Sequence, residues 1–336
     1  MHKLAVLGAG AWGTALAVQL AKNDHQVVLW AHSYTHAEHM VLQRENPRYL
    51  PNITFPDSLQ VTADLAGALA DVDGVLLVVP SDAFADTLKR VVRLSGCPQH
   101  LAWATKGFDP HNQRLLHQVV VDELGIDAPM AVLSGPTFAD EVARGLPTAM
   151  VSASPQPVEA EFWAQAFHYA HFRMYTQADI AGVEVGGAFK NIMAIATGIS
   201  DGMALGANAR AALIARGMVE MQRFGALFDA QPTTLMGLAG LGDLVLTCTD
   251  DLSRNRRFGL SLARSGKTAQ QVQQEIGQVV EGVKAVRIVK AIADKHHLEL
   301  PIVEQVYQLV EGKITAEQAV KALLARELTA EQGASH

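Results

Sequence analysis

The chain has 336 residues, of which 49% are hydrophobic, and a formal net charge of -7. A chain of this length and apolar content can bury a sizeable core and is expected to form two domains. The acidic balance argues against binding to nucleic acid or to an anionic membrane, and no uncharged apolar stretch is long enough to cross a bilayer. An anionic substrate would therefore need a local cationic pocket.

The N-terminus and the cysteines predict a cytoplasmic protein. The chain begins Met1-His2-Lys3 and enters a short apolar strand at once, which is too short a segment for a signal peptide. Cys97 and Cys248 lie far apart, without metal-type or disulfide-type spacing, and are predicted to be reduced thiols. The histidines form no H-E-x-x-H or similar ligand pair, so no metal is expected.

The first half of the chain alternates short apolar runs with segments of helical spacing. Unbroken apolar strands that alternate with helices predict an α/β fold, with a mostly parallel, doubly wound sheet covered on both faces. The predicted strands are residues 4–7, 26–30, 74–79, 101–104, 130–133, 148–152 and 172–175. The helical patterns among them include residues 14–22 and 84–94.

Strand-like runs almost vanish after about Asp179, and the second half is predicted to be all-helical. The predicted helices are residues 180–199, 207–228, 258–265, 268–276, 282–296, 302–311 and 315–323. The tail from Glu327 is small and polar, which is typical of a frayed terminus.

A glycine-rich loop connects the first predicted strand to the first helix. Its sequence is Gly8-Ala9-Gly10-Ala11-Trp12-Gly13, a match to G-x-G-x-x-G. In such a loop the first glycine permits a tight turn, the second lets the backbone approach a pyrophosphate, and the third lets the helix pack closely on the strand. The free N–H groups of the helix N-terminus then favour phosphate. An unoccupied tight turn is the alternative, but the strand–turn–helix context favours a dinucleotide.

These observations define two predicted domains. Residues 1–180 are predicted to form a Rossmann NAD(P)-binding domain, and residues 181–330 a helical substrate and catalytic domain. Trp12 is either a core residue or a border of the nicotinamide side of the cofactor site.

The end of the second predicted strand bears on the type of cofactor. An NAD-specific site usually carries a carboxylate there for the ribose 2′-hydroxyl, but this strand ends Leu29-Trp30-Ala31-His32-Ser33. His32 and Ser33 can donate to a 2′-phosphate and would not repel it. We therefore expect NADPH to be accepted at least as well as NADH, the alternative being a merely solvated His32.

Lys190 is the only charged residue between Glu184 and Asp201. On a helix it shares a face with small and apolar residues that would leave room for a ligand. Apolar surroundings and nearby cations reduce the proton affinity of a lysine, which suits an acid/base group for an alcohol–ketone couple. A lysine that extends to water from a core helix is an equal alternative. The residues that share this face are Val183, Gly187 and Ala194.

Two segments follow predicted strands in the first half, at the sheet edge where ligands bind in open α/β folds. Lys106 follows the strand at 101–104 and is expected to meet both cofactor and substrate. The hydroxyl and N–H groups of the second segment could hold a phosphate or a hydroxyl. A helix N-cap made by Ser134 or Thr137 is the alternative. This second segment is Ser134-Gly135-Pro136-Thr137-Phe138-Ala139.

Two further candidates lie in the second half. Asp243 ends the glycine-rich stretch that begins at Gly237, and it is expected to orient Lys190 or to accept a substrate hydroxyl, with helix capping as the alternative. A compact cationic cluster follows, and arginine forks fit phosphate oxygens, so we predict an anion site rather than a solvated surface run. The cluster is Ser253-Arg254-Asn255-Arg256-Arg257.

Taken together, these motifs resemble the bacterial-type NAD(P)-dependent glycerol-3-phosphate dehydrogenase family. The Lys190 segment matches the signature of that family, although Phe189 stands where an aliphatic residue is more usual. The other motifs follow in the family's order, so the resemblance covers nearly the whole chain. The fixed points of the signature are Gly187-Ala188-Phe189-Lys190-Asn191 and Ile199-Ser200-Asp201-Gly202.

The resemblance implies an enzyme that interconverts sn-glycerol 3-phosphate and dihydroxyacetone phosphate with NAD(P)H and so supplies phospholipid synthesis. It implies Lys190 as the proton acceptor. The residues that it implies around the substrate are Lys106, Gly135, Thr137, Lys190, Asp243, Ser253, Arg254 and Asn255. The residues that it implies near the cofactor are Trp12, His32, Lys106, Ala139, Arg254, Val279 and Glu281. The loop residues Gly8, Gly10, Ala11 and Gly13 complete the predicted cofactor site. His32 departs from the arginine often found at its position.

Three alternatives remain open on the sequence alone. One is a related dehydrogenase acting on a carboxylate, of the ketopantoate reductase or 3-hydroxyacid dehydrogenase type. The second is a non-catalytic NAD(P)H sensor, which would need no isolated lysine. The third is an S-adenosylmethionine-dependent methyltransferase, which also uses a glycine-rich first turn. The expected partner is a small phosphate compound, and the oligomeric state is left open, with a homodimer as one expectation.

Overall fold

The computed structural model describes residues 1–277 and 279–325, and the chain divides into two compact units. The first unit is Met1–Glu184 and the second begins at Val185. A long helix, α8 (Ile180–Gly202), runs across this division, so no break in secondary structure marks it. The last part of the predicted second domain, residues 326–330, and the predicted tail lie outside the described residues.

The first unit is built on an eight-stranded sheet. Its strands are β1 (Lys3–Leu7), β2 (Gln26–Trp30), β3 (Leu59–Thr62), β4 (Gly74–Leu77), β5 (His100–Trp103), β6 (Ala131–Ser134), β7 (Thr148–Ala153) and β8 (Phe172–Gln177). The strand order is β3-β2-β1-β4-β5-β6-β7-β8. The order 3-2-1-4-5-6 of the first six strands, all parallel, is that of the doubly wound Rossmann fold, so the predicted fold class is confirmed.

The far edge of the sheet reverses direction. β7 pairs antiparallel with β6, and β8 then runs parallel to β7. The interior strands β4 and β6 are buried along their whole length, which explains why the sequence shows them as continuous apolar runs.

Helices accompany the strands of the first unit. They are α1 (Ala11–Lys22), α2 (Tyr34–Gln43), α3 (Leu65–Ala68), α4 (Ser81–Ser95), α5 (Leu116–Leu124), α6 (Ala139–Arg144) and α7 (Pro157–Phe167). The sequence patterns identified α1 and α4 but not the other five. Strand β3 was also missed, because only Leu59 of this four-residue edge strand is buried and the apolar run is therefore too short to recognise.

The described part of the second unit is helical throughout, as predicted. After α8 come α9 (Gly206–Gly225), a 3₁₀ turn (Ala226–Phe228), α10 (Pro232–Leu235), a π-helical turn (Leu238–Gly242), α11 (Asp243–Thr249), α12 (Arg254–Ser265), α13 (Ala269–Ile276), α14 (Glu281–Lys295), α15 (Pro301–Val310) and α16 (Ala316–Leu324). Across residues 1–277 and 279–325, no helix combines the length and the apolarity that crossing a membrane requires.

Candidate active site

The glycine-rich loop lies where the sequence predicts it, between β1 and α1. Gly8 has a φ of +124°, a conformation that L side chains rarely adopt, and a Cβ at this position would lie 2.5 Å from the carbonyl oxygen of Val78. Its backbone N–H donates to the carbonyl of Trp30 at 3.0 Å. The loop is therefore tied to the end of β2, the neighbouring strand.

The other two glycines of the loop have different tasks. A Cβ on Gly13 would lie 1.8 Å from the carbonyl oxygen of Gly8, so only glycine lets α1 begin this close to the turn. Around Gly10, by contrast, no described atom other than those of its chain neighbours lies within 4 Å of a Cβ position. The backbone is thus open at the position where the sequence pattern predicts the approach of a pyrophosphate.

The N-terminus of α1 fits a dinucleotide. Gly10 is the N-cap residue, and no side chain of the described residues caps this end, so its N–H groups remain available to phosphate oxygens. Trp12 packs partly against the core, while its indole Nε1 is buried without an acceptor in the described part of the chain. Buried donors without a partner are uncommon in folded proteins.

The segment after β2 carries the residues predicted to select the cofactor. His32 is exposed, and no carboxylate stands between Trp30 and the start of α2. Ser33 is the N-cap of α2, and its Oγ accepts the N–H of His36 at 3.3 Å. The hydroxyl proton of Ser33 stays available to a second acceptor.

Lys106, Gly135 and Thr137 come together around one carbonyl. Lys106 Nζ donates to the carbonyl oxygen of Gly135 at 3.3 Å, and Thr137 Oγ1 donates to the same oxygen at 3.2 Å. A Cβ on Gly135 would lie 2.8 Å from the carbonyl of Ala149, so glycine lets the chain pass close to β7 here. Three of the predicted substrate residues thus share one corner, beyond the ends of β5 and β6.

The helix after this corner is not capped as the alternative interpretation held. The N-cap of α6 is Phe138, without a side-chain hydrogen bond from the described residues, so neither Ser134 nor Thr137 caps the helix. Ser134 Oγ is instead buried, with no partner among those residues. Ala139 is the first residue of α6 and packs partly against the core of the first unit.

In the second unit, Lys190 and Asp243 form a buried ion pair through Lys190 Nζ and Asp243 Oδ1. The side chain of Lys190 is 8% exposed and that of Asp243 is 0% exposed. Thr247 Oγ1 lies 3.4 Å from the same carboxylate oxygen and donates at 2.6 Å to the carbonyl of Asp243. The carboxylate compensates for the desolvation of the ammonium group and fixes its position.

Glycines bring these two charged groups together. A Cβ on Gly186, one helical turn before Lys190, would lie 2.5 Å from the carbonyl of Ala239 in the π-helical turn. A Cβ on Gly240 would lie 1.9 Å from the carbonyl of Leu235. The turn therefore packs directly on α8, and Asp243 begins α11 immediately after it. Gly186 therefore serves backbone packing between α8 and this turn.

The cationic cluster after α11 divides into two parts. Arg256 is buried, and its guanidinium donates to the carbonyl of Cys248 and pairs with Asp201 and Asp251. This arginine is therefore neutralised within the protein. Arg254 and Arg257, by contrast, are exposed.

Asn255 holds three helices together, a role that the sequence did not reveal. Its Oδ1 accepts the N–H of Gly282 at 2.9 Å, and its Nδ2 donates to Oδ1 of Asn191 at 2.8 Å. A Cβ on Gly282 would lie 2.6 Å from the carbonyl of Asn191. Through this amide pair, the residue that follows Lys190 is fixed to the starts of α12 and α14. Ser253 caps α12 by accepting the N–H of Arg256 at 3.3 Å.

The remaining predicted residues lie at the start of α14. Val279 is 47% exposed, and Glu281 is the first residue of the helix. Partial desolvation lowers the pKa of Arg254, and the negative charge of Glu281 opposes that shift. Arg254 and Glu281, both predicted near the cofactor, therefore interact with each other.

Cys248 lies beside the Lys190 pair but is not a nucleophile. Burial raises the pKa of its thiol to about 12, against the opposing effects of a hydrogen bond with Thr197 and the positive charges of Lys190 and Arg256. A thiol with so high a pKa stays protonated and unreactive near neutral pH.

Comparison with known proteins identifies the family. The family model described as NAD-dependent glycerol-3-phosphate dehydrogenase N-terminus matches residues 3–160, and the corresponding C-terminus model matches residues 179–321. The chain belongs to this family. A glycerol-3-phosphate dehydrogenase [NAD(P)+] of Hydrogenovibrio crunogenus is 63% identical over 326 residues, covering 96% of this chain and 95% of that protein.

A solved structure agrees with this assignment. The crystal structure of a glycerol-3-phosphate dehydrogenase from Coxiella burnetii superposes with a TM-score of 0.93 at 48% identity, covering 97% of this chain and 99% of that one. A ketopantoate reductase from Ralstonia eutropha gives a TM-score of 0.60 at 16% identity, which shows a shared fold alone.

Proposed function

We propose that this chain catalyses the NAD(P)-dependent interconversion of sn-glycerol 3-phosphate and dihydroxyacetone phosphate, with Lys190 as the residue that moves the proton. The observation that carries the assignment is the buried pair of Lys190 and Asp243, in a chain that belongs to the glycerol-3-phosphate dehydrogenase family. A buried ammonium group held by one carboxylate is costly for a fold to keep, and a proton-transfer role explains its presence.

The proton step is assigned to Lys190 Nζ. The nicotinamide, when bound, would supply or accept the hydride that the central carbon of the substrate gains or loses. In the reductive direction the ammonium group of Lys190 gives its proton to the oxygen of the ketone as that oxygen becomes an alcohol. In the oxidative direction the neutral amine takes the hydroxyl proton. Asp243 holds Nζ in place and balances its charge in the ammonium form.

The phosphate end of the substrate is assigned to the exposed arginine of the cationic cluster. Arg254 offers a planar fork that matches phosphate oxygens, and Ser253 and Asn255 hold the start of its helix. Binding energy from the phosphate can then orient the reacting carbon, as it does in enzymes that use a non-reacting group as an anchor.

Lys106 and its neighbours are assigned to the substrate oxygen and to the cofactor. The ammonium group of Lys106 can stabilise negative charge that develops on the substrate oxygen. The carbonyl oxygen of Gly135 accepts from that lysine and also from Thr137 Oγ1. Ala139, Val279 and Glu281 remain proposed cofactor neighbours.

The cofactor is assigned to the loop of Gly8, Gly10 and Gly13, with Ala11 and Trp12 at the helix N-terminus and His32 at the ribose end. The supporting observations are the open backbone at Gly10, the uncapped helix and the unsatisfied indole of Trp12. Because no carboxylate follows β2, we propose that NADPH is accepted at least as well as NADH. The product, sn-glycerol 3-phosphate, would supply the backbone of phospholipids.

The test is a steady-state assay of NADPH and NADH oxidation with dihydroxyacetone phosphate. Ketopantoate and a 3-keto acid serve as matched carboxylate controls. We expect turnover with the phosphate ketone and none above background with the carboxylates, because Arg254 anchors a phosphate. Turnover with a carboxylate but not with dihydroxyacetone phosphate would replace this function by that of a related dehydrogenase.

A further inference from the structure

The segment after β2 lacks a group that strongly binds an extra phosphate. Selectivity for NADP(H) requires a cation near the ribose 2′-position, and arginine is the residue whose geometry matches a phosphate dianion. In this chain the position nearest the strand end holds His32, and residues 31–36 contain neither arginine nor lysine. A guanidinium near the ribose 2′-position can therefore come only from another segment.

A buried asparagine connects the turn of residues 46–50 to the glycine-rich loop by hydrogen bonds. Asn46 is 0% exposed, and its Nδ2 donates to the carbonyl of Ala9 at 3.0 Å and to Thr14 Oγ1 at 2.8 Å. Its Oδ1 accepts the N–H of Tyr49 at 3.2 Å, and its carbonyl accepts the N–H of Leu50 at 2.8 Å. The turn of residues 46–50 is therefore fixed directly to the glycine-rich loop.

That turn presents Arg48 beside the groups after β2. The guanidinium carbon of Arg48 lies 5.0 Å from the centre of the Tyr49 ring, and the His36 ring centre lies 5.3 Å from the same ring. Tyr49 thus contacts both Arg48 and His36, which lies in the first turn of α2.

Several cationic groups converge at this point. Burial lowers the pKa of His36, and the positive charges of Arg48, His32 and His39 lower it further. His36 Nε2 is buried and has no partner within the described residues. The groups that act on His36 are all cationic or become so on protonation, which is the electrostatic setting of an anion site.

We propose that Arg48, supported by Tyr49 and positioned by Asn46, recognises the 2′-phosphate of NADP(H) in this chain, with His32 and His36 as flanking donors. The proposal rests on the proposed function only in taking NADP(H) as the ligand. It places selectivity for NADP(H) mainly on a turn in the loop between α2 and β3, rather than on His32 alone.

The test is the dissociation constants of NADPH and NADH, measured by calorimetry for the wild type and for Arg48→Ala. A lost arginine–phosphate contact corresponds to about a 10- to 100-fold rise in the dissociation constant. We expect this rise for NADPH and for adenosine 2′,5′-bisphosphate, and only a change of about twofold or less for NADH and for adenosine 5′-monophosphate, within the ordinary scatter of surface variants.

Two further variants separate recognition from structural damage. Arg93→Ala removes an exposed arginine from α4 in the same unit and should change neither constant. In the Arg48→Ala background, His32→Arg places a guanidinium on the other side of the same site and should restore most of the NADPH affinity.

Two outcomes would overturn the proposal. One is an unchanged NADPH constant in Arg48→Ala. The other is an equal loss for NADPH and NADH, which would give Arg48 a structural role. Neither result involves turnover, so both are distinct from a failure of the dihydroxyacetone phosphate assay, which would reject the proposed function itself.

Discussion

The two units position their candidate site residues by different means. In the first unit the ends of the strands position these residues: Gly8 follows β1, His32 follows β2, Lys106 follows β5 and Gly135 follows β6. In the second unit, contacts between buried side chains position them. Lys190 is held by Asp243, and Asn255 is held by Asn191 and by the backbone of Gly282.

This difference predicts different sensitivities to mutation. In a site built from strand ends, the conformation of a glycine itself shapes the site, so replacement of that glycine distorts the backbone. A site built from buried pairs fails when one partner is removed, because the other partner is then left buried without compensation. The predictions below test this contrast, beginning with the largest effect.

The first prediction concerns the buried pair of the second unit. Asp243→Ala leaves the ammonium group of Lys190 without its carboxylate, and breaking a buried pair in this way costs about 3–5 kcal/mol. We expect a loss of that size in the free energy of unfolding, measured by urea denaturation, together with a large loss of turnover.

A double variant is the matched control for that prediction. Lys190→Met with Asp243→Leu replaces both charges by apolar groups of similar size, and such replacements are often neutral or stabilising. The double variant should recover most of the lost stability while staying inactive. If it is as unstable as Asp243→Ala, the ion pair is not the source of the destabilisation.

The second prediction compares two glycines of the cofactor loop. Gly13→Ala places a Cβ against the Gly8 carbonyl and should destabilise the protein by about 2–3 kcal/mol, the cost of overpacking. Gly10→Ala adds a methyl group where the structure is open, so stability should change by less than about 1 kcal/mol. Cofactor affinity should nevertheless fall, since the methyl occupies the pyrophosphate approach.

Thermal unfolding and cofactor titration of the two variants separate these effects. Equal destabilisation by Gly10→Ala and Gly13→Ala would contradict the division of tasks within the loop. Full cofactor affinity in Gly10→Ala would show that the pyrophosphate binds elsewhere.

The third prediction concerns the amide pair of the second unit. Asn191→Ala leaves a buried N–H of Asn255 without its acceptor, which costs about 1–3 kcal/mol. We expect kcat to fall, because Asn191 is the neighbour of Lys190, while the dissociation constant of NADPH stays near the wild-type value. Gln270→Ala, which removes an exposed amide from α13, should change neither quantity. Unchanged kcat in Asn191→Ala would reduce the pair to a purely structural element.

The fourth and smallest prediction concerns pH and belongs to the first unit. Burial alone would lower the pKa of His117. The hydrogen bond with Glu184 and the negative charges of Glu184 and Asp179 outweigh burial and raise the pKa above its ordinary value. A raised folded-state pKa stabilises the protein below the unfolded-state value of about 6.5, and this contribution disappears as the pH rises through the folded-state pKa.

The measurement is urea denaturation of the wild type and His117→Gln at about pH 6 and about pH 8.5. The free energy of unfolding of the wild type should exceed that of the variant by more at the lower pH than at the higher pH. A difference that grows with pH would have the wrong sign for this interaction.

The same contrast explains how much the sequence could predict. The cofactor loop follows from local pattern, since a strand, a turn and a helix are adjacent in the chain. Lys190 and Asp243 are 53 residues apart in the chain. The sequence therefore indicated Asp243 as a possible partner of Lys190, but it could not decide between that role, a substrate contact and a helix cap. Asn46 precedes a proline, and this pattern indicates a turn. The pattern does not show that the side chain of Asn46 donates a hydrogen bond to the glycine-rich loop.

The missed elements have similar physical reasons. The four-residue edge strand β3 is buried only at Leu59, and the reversal of β7 against β6 leaves no mark in an apolar run. The arginine cluster appeared uniform in sequence, but burial removes Arg256 from the surface and leaves Arg254 exposed. Burial and long-range pairing are tertiary properties, so local patterns cannot supply them.

The most direct test of the central claim is the activity of Lys190→Ala with dihydroxyacetone phosphate, measured beside its affinity for NADPH. Loss of a general acid/base typically costs about 10²- to 10⁴-fold in rate. We expect kcat to fall by that factor, with an NADPH dissociation constant close to that of the wild type. Near-normal turnover in this variant would contradict the assignment of the proton step to Lys190.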